Sequence, residues 1–536
     1  MRTLLQLTGL LALGWSAQAQ SLPLDLAGAQ NGENFGISVA NLGDINNDGW
    51  PDFAVGASSA SAGSLIGAGE VRVLSRLGGF LVRIHGGAFQ NEAFGTSVVG
   101  LGDVDGDGIS DYAAGSDGGS RVRAFSGANG LLLWTKLEQS PGERFGYALA
   151  ALPDLNGDGA GELLVGAPGC DLAALDAGAA YVLSGVNGNV LRTVLGSGLS
   201  TELGYAVAAA GDVNADGVQD VLLGTNTGSN LAQVRSLSDG ALLRSFSGDA
   251  NLDWFGTAVA GVGDVNLDGH ADLLVGASQG LLGSGYARLF SGQNGSVLFS
   301  ISGAANLDLF GWSVSAVGDV NLDGRPDFAI GAPFAEGPFG EANLGLVAIH
   351  SGLDGTRLSS TYGPSSDSAF GWSISAGAGR AGISGAPTVA GSGIARVFET
   401  GQAPGWNNEC VLSPNSVGPG SVMGASGSPS VSRSDLILQA SGAPPNILGL
   451  FFYGRTAAQL PFGNGVRCVA SPFYRRPAFA TGPTGNAAQL LPVSSLQPPG
   501  KPLPGEVWHF QFWHRDPQAG GANYTTSDGL RILFAP

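Results

Sequence analysis

Six nine-residue segments of this chain carry oxygen-bearing side chains at fixed offsets. In the first, Asp44, Asn46, Asp48 and Asp52 stand at positions 1, 3, 5 and 9, with Gly49 at position 6. The pattern returns as Asp103, Asp105, Asp107 and Asp111, and as Asp154, Asn156, Asp158 and Glu162. It returns again as Asp212, Asn214, Asp216 and Asp220, as Asp264, Asn266, Asp268 and Asp272, and as Asp319, Asn321, Asp323 and Asp327. A hard cation needs about six to eight oxygens, and carboxylates or amides at alternate positions can converge on one centre while glycine permits the sharp turn. Position 7 would give only its carbonyl, and it is Trp50, Ile109, Ala160, Val218, His270 or Arg325, as unrestricted as backbone ligation allows. These are not EF-hands, which close with a glutamate at position 12 between two helices. Here position 12 is Val55, Ala114, Val165, Leu223, Val275 or Ile330, inside an apolar run. Polar turns favour Asp, Asn and Gly without any metal, but a turn needs one or two such residues, not four at fixed offsets. The expectation is about six Ca2+ ions, favoured over Mg2+ because the loops are all-protein oxygen cages without phosphate.

Nineteen of the 43 acidic residues stand in these loops, and six divalent ions would bring the net charge from −19 to −7. Much of the acidity is therefore ligand charge, and the balance argues against binding to a nucleic-acid backbone. Glycine supplies 90 of the 536 residues without the every-third spacing of collagen. Only 12% are charged while 43% are hydrophobic, which excludes a disordered chain.

The loops sit in a larger repeat. Phe-Gly recurs at Phe35, Phe94, Phe145, Phe255, Phe310 and Phe370, with Leu203-Gly204 in the remaining place, giving seven units spaced 51 to 60 residues apart. Within a unit an alternating stretch precedes the acidic loop, and an apolar run such as Asp52 to Gly56 follows it. A third stretch then leads through a turn such as Ser126-Gly127-Ala128-Asn129-Gly130 into a fourth. Asn-Gly or Asp-Gly between apolar runs signals a hairpin. Four short strands per unit, repeated seven times without helical periodicity, predict an all-β, seven-bladed β-propeller. Leu22 to Gly28 reads like the fourth strand of other units, and unit seven stops after Ile394 to Phe398, so the N-terminal strand is expected to complete blade seven.

Phe-Gly followed by Gly-Ala-Pro (Gly166-Ala167-Pro168, Gly331-Ala332-Pro333, Gly385-Ala386-Pro387) with an acidic loop between them resembles the FG-GAP repeat. That repeat builds the N-terminal propeller of integrin α subunits and of many secreted bacterial proteins. The resemblance covers about residues 21–400. It implies that the calcium loops join strands one and two on a lower face, and that ligands meet the opposite face. Unit seven has Gly377-Ala378-Gly379-Arg380-Ala381-Gly382 where the acidic loop would stand and is expected to bind no metal. No inserted adhesion domain and no Asp-x-Ser-x-Ser site occurs, so the resemblance is to the scaffold. The longest loops of the opposite face are expected at 58–69, 169–178 and 334–345, the last holding Phe334, Glu336, Phe339 and Glu341. Trp254, Trp312 and Trp372 beside Phe-Gly pairs either meet a carbohydrate or protein ligand or pack between blades.

Residues 1–19 read as a secretory signal: Arg2, an apolar stretch from Leu4 to Trp15, and Ala17-Gln18-Ala19 before the cut. The propeller is assigned to 20–402 and a C-terminal β-rich, sandwich-like domain to 403–536, where Trp508, Phe510 and Phe512 share one face. That domain is similar to the C-terminal module of other secreted bacterial repeat proteins, through Phe512-Trp513-His514-Arg515-Asp516-Pro517. In an oxidising compartment Cys410 and Cys468 are the natural pair and Cys170 is left over. No catalytic constellation stands out: His85, His270 and His350 are scattered, and Gly276-Ala277-Ser278-Gln279-Gly280 fits a nucleophile elbow but lacks the helix that motif needs. The sequence points to a secreted or cell-surface, calcium-binding, non-enzymatic adhesion or ligand-binding protein. An extracellular hydrolase or lyase acting on polysaccharide or lipid, or a surface-layer component, are the alternatives.

Overall fold

The computed structural model describes residues 24–533 apart from 49, 77–78, 226–229, 251–252, 281–282, 322, 338–339, 377–380, 388–390, 400–405, 410–415, 417–420, 427–435, 463, 483–484, 497–498, 504–505 and 519–523. The expected signal segment, the Gly377 to Arg380 part of unit seven, Phe339 and Cys410 lie outside the described residues. Every regular element among the described residues is a β-strand except one 3-10 turn at Val493–Ser495, and no helix is long and apolar enough to cross a membrane. The chain divides into two compact units, one of the residues up to Gly318 with Pro326–Phe398, the other of Asp319–Arg325 with the residues from Glu399 on.

The first unit holds seven antiparallel four-stranded sheets. In six the strands follow chain order, as in Phe35–Gly43, Asp52–Ala57, Glu70–Ser75 and Leu81–Gly86. The seventh combines Ser373–Ala376, Ala381–Ala386 and Ile394–Glu399 with the N-terminal strand Leu24–Ala27, which pairs Leu24 with Val397 and Ala27 with Ile394. Arg396 adds a bidentate ion pair to Asp25, donating from Nε at 2.6 Å and Nη2 at 2.8 Å. First strands touch first strands of both neighbouring sheets, and that of the seventh touches that of the first, so the ring closes with first strands innermost. Second strands such as Asp272–Ala277 are buried at every position, which is why they read as unbroken apolar runs. Outer strands such as Leu81–Gly86 alternate because one face meets solvent.

The apolar core lies between blades. Phe94 packs with Val71 and Val73 of the blade before it, and Phe255 packs with Leu222 and Val234 of its predecessor. Each Phe-Gly thus anchors one blade to the last. The glycine is required on two counts. Gly36, Gly95, Gly146, Gly204, Gly256, Gly311 and Gly371 lie at φ between +87° and +93°, where a side chain is strained. Their carbonyls also press on the glycine ending the second strand of the preceding blade. A Cβ added at Gly56, Gly115, Gly166, Gly224, Gly276, Gly331 or Gly385 would lie 1.8–2.3 Å from that oxygen. The two halves of the Phe-Gly and Gly-Ala-Pro signature are therefore opposite sides of one backbone contact. Where space remains a serine bridges it: Ser38, Ser97, Ser313 and Ser373 donate to the next blade's glycine carbonyl at 2.7–2.9 Å.

Buried acids two residues before Phe-Gly were missed in the sequence. Glu33, Glu92, Glu143, Asp253 and Asp308 are all nearly inaccessible and accept backbone N–H groups of the turn entering each blade, as Ala29 to Glu33 at 2.5 Å and Ala305 to Asp308 at 2.9 Å. Arg72 pairs with Glu33 at 2.6 Å and Glu70 at 2.7 Å, and Arg123 pairs with Glu92. Their signal was a recurring acid, serine or threonine at that offset (Thr201 and Ser368 complete the set).

In the second unit a six-stranded sheet contains Leu448–Gly454, Val507–Arg515 and Tyr524–Leu533. A three-stranded sheet of Val422–Ser426, Leu436–Ser441 and Ala487–Leu491 shares one core with it. Trp508, Phe510 and Phe512 are fully buried there with Leu438 and Leu491, as their common face requires. Cys170 is free and buried, and the pairing of Cys468 with Cys410 stays an expectation.

Candidate metal centres

Because strands alternate in direction, the one-to-two and three-to-four connections share one end of the propeller. Each acidic loop joins strands one and two, as Gly43 and Asp52 flank the first. Position 9 opens the second strand, so Asp52, Asp111, Glu162, Asp220, Asp272 and Asp327 are fully buried while positions 1, 3 and 5 are half-buried or exposed. Side chains and backbone are wound together alike in each loop. The position 5 amide donates to position 1, as Asp48 to Asp44 at 3.0 Å and Asp216 to Asp212 at 3.1 Å. The position 7 amide donates to position 5, as Val218 to Asp216 and Arg325 to Asp323 at 2.8 and 3.0 Å. The position 2 amide donates to position 9, as Val265 to Asp272 at 2.9 Å.

In the second loop Asp103, Asp105 and Asp111 place oxygens within 4.8 Å of one another, and in the third Asp154, Asp158 and Glu162 do the same. Oxygens at about 2.3–2.6 Å from a shared ion are at most about 5 Å apart, so this spacing fits Ca2+. Two buried oxygens test the fit further. Glu162 Oε1 and Asp220 Oδ1 are inaccessible to solvent and have no hydrogen-bond partner. A buried carboxylate oxygen left unpaired is costly, and a cation held in the loop would satisfy it. The donor set, carboxylate and amide oxygens with one backbone carbonyl, is that of a hard cation. The residues that would hold the six ions are those at positions 1, 3, 5 and 9, with the position 7 carbonyl.

Burial raises the position 9 acids. Asp52 and Asp220 are pushed up to about 6 from 3.8, chiefly by loss of solvent, and the neighbouring acids at positions 1 and 5 add to it. Asp111, Glu162 and Asp272 move the same way for the same first cause. A carboxyl that holds its proton more tightly folded than unfolded contributes stability below about 3.8 that is lost as pH rises through about 6. Chelated protein should therefore melt progressively lower across that window. Excess Ca2+ should remove the fall, because the ion takes the proton's place. Calorimetry at a series of pH values, with and without chelator, checks both arms.

The three-to-four turns back these loops, which their sequence did not reveal. Gly127, Gly292 and Gly352 donate N–H groups to the second oxygen of Asp111, Asp272 and Asp327 at 2.7–2.9 Å. Ser75 and Ser238 donate to position 5 of the first and fourth loops at 2.8 Å.

The opposite end carries the start of each first strand and the two-to-three loops. Trp312 and Trp372 stand 4.5 Å apart by ring centroid, Trp254 and Trp312 6.4 Å, and Tyr147 and Tyr205 4.8 Å. All five are half-buried and contact the aromatic of the adjacent blade, so they pack between blades while keeping a face in solvent. In the connecting loops of blades one and three Ile66, Leu172, Leu175 and Leu199 are 52–75% exposed.

Ser278 of the elbow-like sequence is fully buried. His85 is pushed to about 4 by burial and contacts the Tyr112 hydroxyl at 2.7 Å. In the second unit His514 Nε2 lies 2.8 Å from Ser421 Oγ with Asp516 nearby in sequence, but all three side chains have zero exposure.

The FG-GAP repeat family model matches residues 35–74, 145–183, 255–297 and 310–350, which fall in blades one, three, five and six. Integrin alpha-8 of Gallus gallus is 33% identical over 167 residues, covering 28% of this chain and 15% of that protein. Integrin alpha-5 of Xenopus laevis is 34% identical over 166 residues and integrin alpha-V of Gallus gallus 31% over 163, with the same coverage. The chain thus spans about 15% of the length of the curated relatives it matches. Four matched repeats, together with a sheet and glycine contact repeated around the ring, make this an FG-GAP-repeat β-propeller protein.

Proposed function

We propose that the protein is a calcium-stabilised, non-enzymatic propeller that binds a ligand in an adhesion role outside the cell. The observation that carries the metal is the pair of buried, unpartnered oxygens on Glu162 and Asp220, inside loops otherwise saturated with donors. Bound Ca2+ would supply fixed positive charge at the start of six of the second strands. The chain's own residues hold the loops rigid by the amide bonds described, and so fix where the blades begin. The ligand is expected at the opposite end, where exposed Leu172, Leu175 and Leu199 border the Tyr147 and Tyr205 pair. Apolar and aromatic groups on a rigid rim suit a protein surface. The half-exposed Trp254, Trp312 and Trp372 favour a carbohydrate as the second reading.

The full chain, probed on surface-protein and glycan arrays in Ca2+ and in chelator, is expected to bind a protein in Ca2+ only. Leu175→Asp with Leu199→Asp should abolish that signal while leaving the melting temperature in place. Glycan binding lost on Trp372→Ala selects the second reading. Turnover of an arrayed polysaccharide or lipid would overturn the non-enzymatic assignment, for which the buried Ser421 and His514 pair offers no accessible hydroxyl.

A further inference from the structure

Two of the six loops are bonded to each other. Ala271, at position 8 of the fifth loop, donates its N–H to the carbonyl of Asp212 at 3.1 Å. His270, at position 7, brings Nδ1 to 2.8 Å from the carbonyl of Val213. Asp212 and Val213 are positions 1 and 2 of the fourth loop. The backbones are in close contact as well, since a Cβ added at Gly211 would fall 2.3 Å from the Ala271 methyl. The first and sixth loops carry Pro51 and Pro326 at position 8, so they have no N–H for the equivalent backbone bond.

We infer that the fourth and fifth loops bind Ca2+ as a coupled pair, each raising the other's affinity. The inference rests on the calcium reading above. The His270 carbonyl would help to hold an ion in the fifth loop, and that would fix the peptide whose imidazole and following N–H hold Val213 and Asp212. The main chain from which the Asp212 carboxylate is aimed is then ordered before the second ion arrives. The second ion meets a loop that has already lost its freedom, and the ordering cost is smaller. The fourth loop is where such help counts, because Asp220 Oδ1 lacks the turn amide that Asp272 receives from Gly292. Coupling of this kind is reciprocal, so the factor must be the same in both directions.

Hydrogen exchange by mass spectrometry on the full chain, titrated with Ca2+, follows each loop through its own peptide. Asp268→Ala should abolish calcium protection of the fifth loop and move the midpoint of the fourth to about five-fold higher Ca2+ or more. The first loop's midpoint should stay in place. Asp216→Ala should shift the fifth loop by the same factor. A double variant, His270→Ala with Ala271→Pro, keeps every ligand side chain and places proline where two other loops already have it. In that background Asp268→Ala should no longer move the fourth loop. An unmoved fourth-loop midpoint, with the fifth loop's protection gone, overturns the coupling alone. Absence of calcium protection in every loop of the unaltered protein overturns the metal reading and the coupling with it.

Discussion

Chelation is expected to lower the melting temperature of the propeller by about 10 °C. Each site occupied at about ten times its dissociation constant adds about 1.4 kcal/mol to the folded state, so six sites add about 8 kcal/mol. Dissociation constants of about 10⁻⁴–10⁻³ M, usual for extracellular modules, make that occupancy reachable in millimolar Ca2+. Unfolding entropy near about 2.1 cal/mol/K per residue over residues 24–398 converts the loss into a shift of that size. Asp268→Ala should remove roughly a quarter of it, the fifth site outright and part of the coupled fourth. Asp367→Ala is the matched control, because this aspartate lies outside every loop and accepts only an exposed amide from Asn343 at 2.8 Å. Melting curves that coincide in Ca2+ and in excess chelator would sink the assignment.

Gly276→Ala is expected to cost more than about 4 kcal/mol, at the severe end of single substitutions. The added methyl would stand 2.0 Å from the Gly311 carbonyl oxygen and 3.0 Å from its carbon, with the Ala258 methyl at 3.3 Å and no flexible side chain to yield. Relief requires blade six to move away from blade five, and a closed ring has no free end to absorb that displacement. Gly240→Ala isolates conformational strain from crowding. Its φ is +83°, yet nothing lies within 4 Å of the added carbon, so about 1–2 kcal/mol is expected. Denaturant titration of both variants gives the comparison, and equal costs would show that the seam tolerates a side chain.

The repeat and the loops were legible because both are local. A metal loop must present its ligands within nine residues, and Phe-Gly must announce each blade, so spacing alone exposes them. Why each glycine is needed was not legible, since Gly276 and Gly311 stand in different units and meet only when the ring forms. The buried acids before Phe-Gly were overlooked for another reason. Glu33 and Asp253 look like ordinary loop acids until the backbone turns them inward. The share of the metal loops borne by Gly127 and Ser75 was hidden similarly, because a turn that reads as a simple hairpin also braces the loop beside it. Of the two readings offered for the tryptophans the structure shows packing across blades, with Trp312 tilted against Trp372 and each ring half-exposed, and contact with a ligand stays an expectation.

The strand that finishes the seventh sheet comes from the opposite end of the propeller, with Leu24 beside Val397. During synthesis that strand emerges first and must wait for more than 370 residues before its partner exists. Until then the growing arc has an unpaired edge at each end, the condition under which strands recruit the wrong neighbour. Completion is thus a late, long-range event in the life of the nascent molecule. A chain clipped ahead of Ala27 would leave Ile394–Glu399 open to the same segment of another copy. Such a lesion would surface as exchange-linked dimers instead of simple unfolding.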